Sequence, residues 1–158
     1  MKIDSARVIE WGVAARSFAQ RVECGDQYLV EAFPNGVLVA VADGLGHGPR
    51  AAVAGKAAIT ALKSHAHEPV TSLVKRCHEE IRRTRGVVMS LASFNALEEK
   101  MTWLGVGNVK GVLVSATQDG DPEHKWLLSR GGVVGYRLPT LRPIVVPVSP
   151  GDTLILCT

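Results

Sequence analysis

The run GVLVAVAD, Gly36 to Asp43, constrains the fold more than any other stretch of this chain. A strand with one face in water alternates apolar and polar residues, whereas this run is apolar at odd and even positions alike. The pattern predicts a central, buried strand. Pro34-Asn35-Gly36 stands immediately before it. Pro sets φ, and Asn and Gly tolerate positive φ, so the three residues predict a tight turn. That turn joins the central strand to an earlier one over Gln27 to Phe33 as a hairpin. Loose alternation of Val8, Trp11 and Val13 predicts a first strand over Arg7 to Arg16.

After the central strand comes a glycine cluster, Asp43-Gly44-Leu45-Gly46-His47-Gly48, and then Pro49. Pro is favoured at the first helical position, and the residues after it are rich in Ala. A helix is predicted from about Pro49 to about His65, with small side chains that allow close approach to a sheet. A second helix starts near Pro69. Val70, Leu73, Val74, Cys77 and Ile81 form one apolar stripe, and the helix is predicted to end near Arg85-Gly86. Arg82, Arg83 and Arg85 fall at that end, where cations complement the helix dipole. The remainder reads as strands: Val87 to Asn95, Lys100 to Val106, Val109 to Thr117, Lys125 to Ser129, Val133 to Leu138, Arg142 to Val146 and Asp152 to Cys157. Glu98 and Glu99 lie in a hairpin turn. Strands, then two helices, then strands argue for an α+β fold with mostly antiparallel pairing in layers.

Composition narrows the function. With 46% apolar residues the chain buries enough surface to escape disorder, and 16 Gly and 8 Pro exclude a coiled coil. Its 158 residues suit one domain. No apolar run approaches the ~20 residues of a membrane-spanning helix. Met1 to Glu10 carries Lys2, Asp4, Arg7 and Glu10, unlike a signal peptide. Cys24, Cys77 and Cys157 are odd in number and scattered, which argues against disulfides and zinc and for a reducing cytoplasm. The net charge of +3 comes with only 5% aromatics and no stacking series beside the basic residues, which argues against nucleic-acid binding.

The sharpest chemical feature is VAVADGLGHG, Val39 to Gly48. A buried strand delivers Asp43 to its end, followed by glycines whose carbonyls are accessible. A carboxylate and carbonyls suit a hard cation such as Mg²⁺ or Mn²⁺. The residues alone leave a second possibility open, a glycine-rich turn in which Asp43 caps the helix. Nucleotide motifs fail here. GxGxxG would need Gly where Pro49 stands, and a phosphate loop ending at Gly55-Lys56 would need Gly and Ser or Thr where Arg50 and Ala57 stand. A second feature, Arg21 to Gln27, precedes the hairpin partner of the central strand. The hairpin could bring Asp26 to face the same site as Asp43, with Arg21 offering a phosphate-matching fork.

Taken in order, CGDQY, VAVADGLGHG, RGVV, LGVGNV and PGDTLILCT resemble bacterial metal-dependent serine/threonine phosphatases of the protein phosphatase type 2C superfamily. The branch is that of the sporulation stage II phosphatase, and within it the chain is similar to the small stand-alone phosphatases that reset the stressosome. The likeness runs from about Cys24 to Thr158. It implies an α-β-β-α layered sandwich, two mostly antiparallel sheets flanked by helices. It implies two metal ions, Mn²⁺ or Mg²⁺, bridged by Asp43, with the Gly44 carbonyl as a further ligand and Asp26 serving the metals directly or through water. Arg21 falls where eukaryotic relatives carry a phosphate-binding arginine. The reaction implied is direct attack of a metal-activated water on phosphorus, with no covalent phosphoenzyme. Two cations would offset the charge of a phosphate monoester and lower the pKa of a shared water. The implied substrates are phosphorylated STAS-domain proteins. An alternative is a non-catalytic phosphatase-like module that binds STAS-domain partners.

The chain departs from that pattern in two places. The family continues after the equivalent of Thr158 with Asp-Gly, whose aspartate is a metal ligand, so residues 1–158 are expected to be a single phosphatase-like domain truncated at its C-terminus. Leu45 stands where eukaryotic relatives have a proton-donating His, and His47 is expected to be a loop residue. The remaining candidates have structural readings. Asp152 belongs to the PGD turn, His65 and His67 to a helix end, and Trp11, Trp103 and Trp126 to packing, while Asn108 either holds the loop after its strand near the site or is a turn residue tolerating positive φ.

Overall fold

A computed structural model describes residues 8–16, 23–116 and 120–158. Strands β1 (Asp26–Phe33) and β2 (Gly36–Gly44) form an antiparallel hairpin, with Asp26 opposite Asp43 at one end and Phe33 opposite Gly36 at the other. Asn35 turns the chain at φ 62°, as the Pro-Asn-Gly sequence predicts. Helices α1 (Pro49–Lys63) and α2 (Val70–Glu80) follow. Then come β3 (Val87–Asn95), β4 (Lys100–Val106), β5 (Lys110–Val114), β6 (His124–Leu127), β7 (Ile144–Pro147) and β8 (Thr153–Cys157). They make a five-stranded sheet in the order β1-β2-β3-β4-β7 and a three-stranded sheet in the order β6-β5-β8, with every strand pair antiparallel.

Two apolar clusters hold the layers together. Leu38, Ala40 and Ala42 of β2 and Met89 and Leu91 of β3 pack with Ala54, Ala58, Leu62, Leu73, Val74 and Cys77 of the helices. On the other face of the large sheet, Ala92, Met101, Trp103 and Val146 meet Leu113 and Leu127 of the small one. The α+β sandwich expected from the sequence is therefore the fold observed, and the described residues form its helical layer and both sheets. The second face of β2 is less enclosed than its apolar run suggests. Val39 and Val41 are half-buried, because the small sheet packs over β3, β4 and β7.

Helix α1 lies unusually close to the hairpin, as its small residues predict. A Cβ on Gly44 would collide with the Ala51 carbonyl, and one on Gly55 with the Gly25 carbonyl. Only glycine at these two positions lets helix and hairpin backbones approach this far. The start of α1 is thus pressed against the end of the strand that carries Asp43.

Three expectations fail. Residues 8–16 form no strand: Trp11 rests on Tyr28 with ring centroids 5.9 Å apart, but the segment buries little and pairs with no strand. Helix α2 ends at Glu80 rather than at Arg85-Gly86. The Thr84 hydroxyl donates to the Ile81 carbonyl at 2.7 Å and accepts the Gly86 N–H at 3.0 Å, which winds residues 81–86 into a turn. Residues 133–138 form a tight turn closed by Val133 and Arg137 rather than a strand. His78, buried on α2, accepts the Gly135 N–H through Nδ1 at 2.9 Å and clips this turn to the helix.

Trp103, fully buried between the sheets, donates from Nε1 to the Leu128 carbonyl at 3.0 Å, and its ring fills the space beside Gly111. A Cβ at Gly111 would intrude on that ring. Gly111→Ala should therefore overpack the contact between the sheets and destabilise the fold by about 1–3 kcal/mol. Thermal unfolding followed by circular dichroism checks this, and an unchanged midpoint would show that the sheets separate more easily than their packing implies.

Candidate active site

The antiparallel hairpin decides what meets at the open end of the large sheet. Because β1 begins where β2 ends, Asp26 faces Asp43 in register, and the Gly44 N–H donates to the Gly25 carbonyl at 3.1 Å. The second pairing of β2 adds Val88 opposite Asp43 and Val87 opposite Gly44. The end of β4 arrives at the same place, since Val106 pairs with Met89. Beyond it, Gly107 takes φ 95° and donates to the Arg130 carbonyl at 2.7 Å. The Ser90 hydroxyl donates to the Val109 carbonyl at 2.8 Å and ties this loop to β3.

Between Asp43 and α1 the glycine loop follows a course that the sequence alone leaves open. Helix α1 has Gly48 at its N-cap, at φ 76°, with Pro49 in its first turn and no side-chain cap. Asp43 therefore does not cap the helix, and its carboxylate is left without a capping role. The Leu45 N–H donates to the Gly86 carbonyl at 3.0 Å, so the loop is fastened to the turn before β3.

The electrostatics follow from this geometry. Burial raises the Asp43 pKa above the usual carboxylate value, and the charge of Asp26 and a hydrogen bond with it raise it further. Cys24 donates from Sγ to Asp26 Oδ2 at 3.4 Å. A backbone hydrogen bond at Asp26 lowers the Cys24 pKa, but burial and the carboxylates of Asp26 and Asp43 outweigh it, and the net shift is upward. The thiol stays protonated at neutral pH, a hydrogen-bond donor rather than a nucleophile.

Two facing carboxylates beside a glycine carbonyl are hard oxygen donors, the set that Mg²⁺ or Mn²⁺ takes. A divalent cation between them would relieve the repulsion that lifts Asp43. The residue types therefore fit a divalent metal, which Asp43, Asp26 and the Gly44 carbonyl would hold. Among the described residues no group of three or more His, Cys, Asp and Glu converges.

The other candidates lie elsewhere. Arg21 falls outside the described residues. His47 is exposed on the loop, and His65 and His67 lie in the turn after the far end of α1. Asp152 accepts from the Ala116 N–H and the Ser149 N–H, both at 2.8 Å, and so holds the turn before β8 as expected. Positive φ falls on Gly107 rather than on Asn108, because glycine takes that conformation without steric cost. Sequence reasoning missed Arg85. It placed this residue at a helix end, whereas the chain has left the helix by then and the side chain lies against Gly46 of the glycine loop. The RGVV segment was its only signal.

The raised Asp43 pKa makes a stability statement. A carboxyl whose folded pKa exceeds its unfolded value costs nothing below the ordinary value of 3.8. The penalty develops as pH rises through that value and persists above the folded pKa. In chelator, Asp43→Asn should raise the melting temperature at neutral pH, and the gain should vanish in acid. Mg²⁺ should raise the wild-type midpoint but not that of the variant. Equal midpoints for the two proteins at every pH would mean that the carboxylates do not repel.

A profile of the family described as Stage II sporulation protein E (SpoIIE) matches residues 34–158. Phosphoserine phosphatase RsbX of Bacillus subtilis (strain 168) is 34% identical over 92 residues, 58% of this chain and 46% of that protein. The chain thus spans about half the length of this curated relative. A solved chain from the bacterial stressosome, described as a modular system adapted to control secondary messenger signaling, superposes with a TM-score of 0.82. It is 30% identical, over 89% of this chain and 71% of that one. RsbX in complex with magnesium superposes with a TM-score of 0.75 and 27% identity, over 84% of this chain and 65% of that one. The profile covers all but the first 33 residues and includes the whole glycine loop, and the chain belongs to the stage II sporulation protein E family.

Proposed function

We propose that this chain is the catalytic domain of a metal-dependent phosphatase that removes phosphate from serine or threonine of phosphorylated STAS-domain proteins in a stressosome-type stress pathway. The observation that carries this reading is the pair Asp26 and Asp43, facing each other across the hairpin at a glycine turn that admits no side chain at Gly44. Membership of the family and the likeness to a phosphoserine phosphatase and to a stressosome chain support the reaction and the pathway. Two ions, Mg²⁺ or Mn²⁺, would be held by Asp43 as the shared carboxylate, with the Gly44 carbonyl and Asp26, and Arg21 would bind phosphate.

Divalent cations bound there supply positive charge against the phosphate and lower the pKa of water toward neutrality. The chain's own part is positional. The β1–β2 register holds two anionic groups at a fixed spacing, and α1 presses on Gly44 from behind. The Cys24 thiol, protonated and hydrogen-bonded to Asp26, is no nucleophile, and His47 points from an exposed loop. Both fit direct attack by water better than a phosphorylated enzyme intermediate. All three cysteines are free thiols and no described helix is long and apolar enough to cross a membrane, features that accord with a cytoplasmic setting.

The test is phosphate release from a phosphorylated STAS-domain protein by the full-length protein, with Mn²⁺ or Mg²⁺ and with chelator. Wild type should turn over only with the metal. Asp43→Asn should lower kcat on the order of a hundredfold or more, because several kcal/mol of charge stabilisation are lost. Activity of that variant within a few-fold of wild type would remove Asp43 from the metal site. Binding of the phosphoprotein without turnover would replace the enzyme with a binding module.

A further inference from the structure

We propose that Arg85 is a phosphate-binding residue of this site, its guanidinium receiving the phosphoryl oxygens of the substrate. The inference rests on the phosphatase reading above but names a residue which that reading does not use. Four hydrogen bonds fix the backbone around Arg85. The Gly86 carbonyl accepts the Leu45 N–H at 3.0 Å, and the Gly86 N–H donates to the Thr84 hydroxyl at 3.0 Å. Val87 then exchanges two bonds of 2.9 Å with Val134. Arg85 is thereby held two residues ahead of Val87, which pairs with Gly44, at the sheet end where Asp26 and Asp43 meet.

The side chain lies against the glycine loop that follows Asp43. A Cβ built on Gly46 would stand 2.5 Å from Arg85 Nη1, so the guanidinium lies across the glycine loop, three residues from Asp43. Gly46 has φ 86° and no side chain, and both properties leave room for it. Two arginines of α2 and the turn after it are engaged elsewhere: Arg82 pairs with Glu79 at 3.1 Å and Arg76 with Glu68 at 2.8 Å. Among the described residues no carboxylate or other acceptor engages Arg85, which is exposed. A planar fork of unused N–H donors, rigidly based and lying over the glycine loop that follows Asp43, matches the tetrahedral oxygens of a phosphate ester. The carboxylates themselves would repel that ester, so a cation over the adjoining glycine loop also aids its approach.

Arg85→Ala, Arg85→Lys and Arg85→Gln in the full-length protein test this in two ways. One is kcat and KM on the phosphoprotein, and the other is binding of inorganic phosphate, measured by titration calorimetry with Mg²⁺ present. Losing a charge-assisted contact should weaken inorganic phosphate about tenfold or more in the Ala and Gln variants and raise KM. Lys should restore part of the loss, and the melting temperature should not change. If wild type turns over but the Ala and Gln variants match it in KM and phosphate affinity, Arg85 is a surface residue and the phosphatase reading stands. If wild type does not turn over, that reading falls and the phosphate titration alone decides. Weaker binding in the neutral variants then upholds the assignment, whereas equal binding, or none by wild type, overturns it. Should Ala unfold the protein, the contrast between Lys and Gln carries the same comparison.

Discussion

The antiparallel register of one hairpin sets the position of everything else at the site. Pairing Phe33 with Gly36 across a two-residue turn places Asp26 opposite Asp43 seven residues away. A shift of one residue would send the carboxylates to opposite faces of the sheet, since side chains alternate. The turn that sets this register needs Asn35 in the left-handed region, one of only two non-glycine residues with positive φ among those described. A local turn preference thus controls a long-range electrostatic arrangement.

Packing then makes that arrangement rigid. Helix α1 presses its backbone against Gly44 and Gly25, and α2 covers the neighbouring strands through Leu73, Val74 and Cys77. On the far side Trp103 wedges the sheets together. Dense packing on both faces of β3 and β4 keeps the loops after β2 and β4 and the turn before β3 at one end of the sheet, each anchored by backbone hydrogen bonds. Polar groups there have few alternatives: the Gly86 carbonyl serves the glycine loop and the Arg130 carbonyl serves the loop after β4. The outer face of the small sheet is different. Trp126, Val112 and Ile155 form one row across it, with Trp126 66% and Ile155 50% exposed.

Much of the architecture was legible in the sequence because its signals are local. The hairpin, both helix starts, β3 and β4 come directly from periodicity, Pro and Gly positions and turn chemistry. The failures occur where local pattern competes with context. Val8, Trp11 and Val13 alternate loosely like a strand, yet Trp11 and Val13 are more than half exposed among the described residues, and alternation without burial does not make a strand. The apolar stripe of α2 continues to Ile81, but Thr84 supplies side-chain bonds that replace the next helical turn. Val133 to Leu138 has strand composition and makes only single bridges, because Gly135 turns the chain back at once.

The sequence by itself determined which donor groups the strand ends carry. One carboxylate at the end of a buried strand, followed by glycines, and a second carboxylate at the start of the hairpin partner are the donor types that hard cations take, since residue type and strand order are properties of the chain. Only the tertiary structure decided that Asp43 does not cap α1, because that depends on whether α1 begins within reach of it, and α1 takes Gly48 as its N-cap instead. Only the tertiary structure brought Arg85 to Gly46, 39 positions away in the chain. That meeting depends on β2 and β3 running antiparallel beneath two packed helices, and no local propensity encodes it.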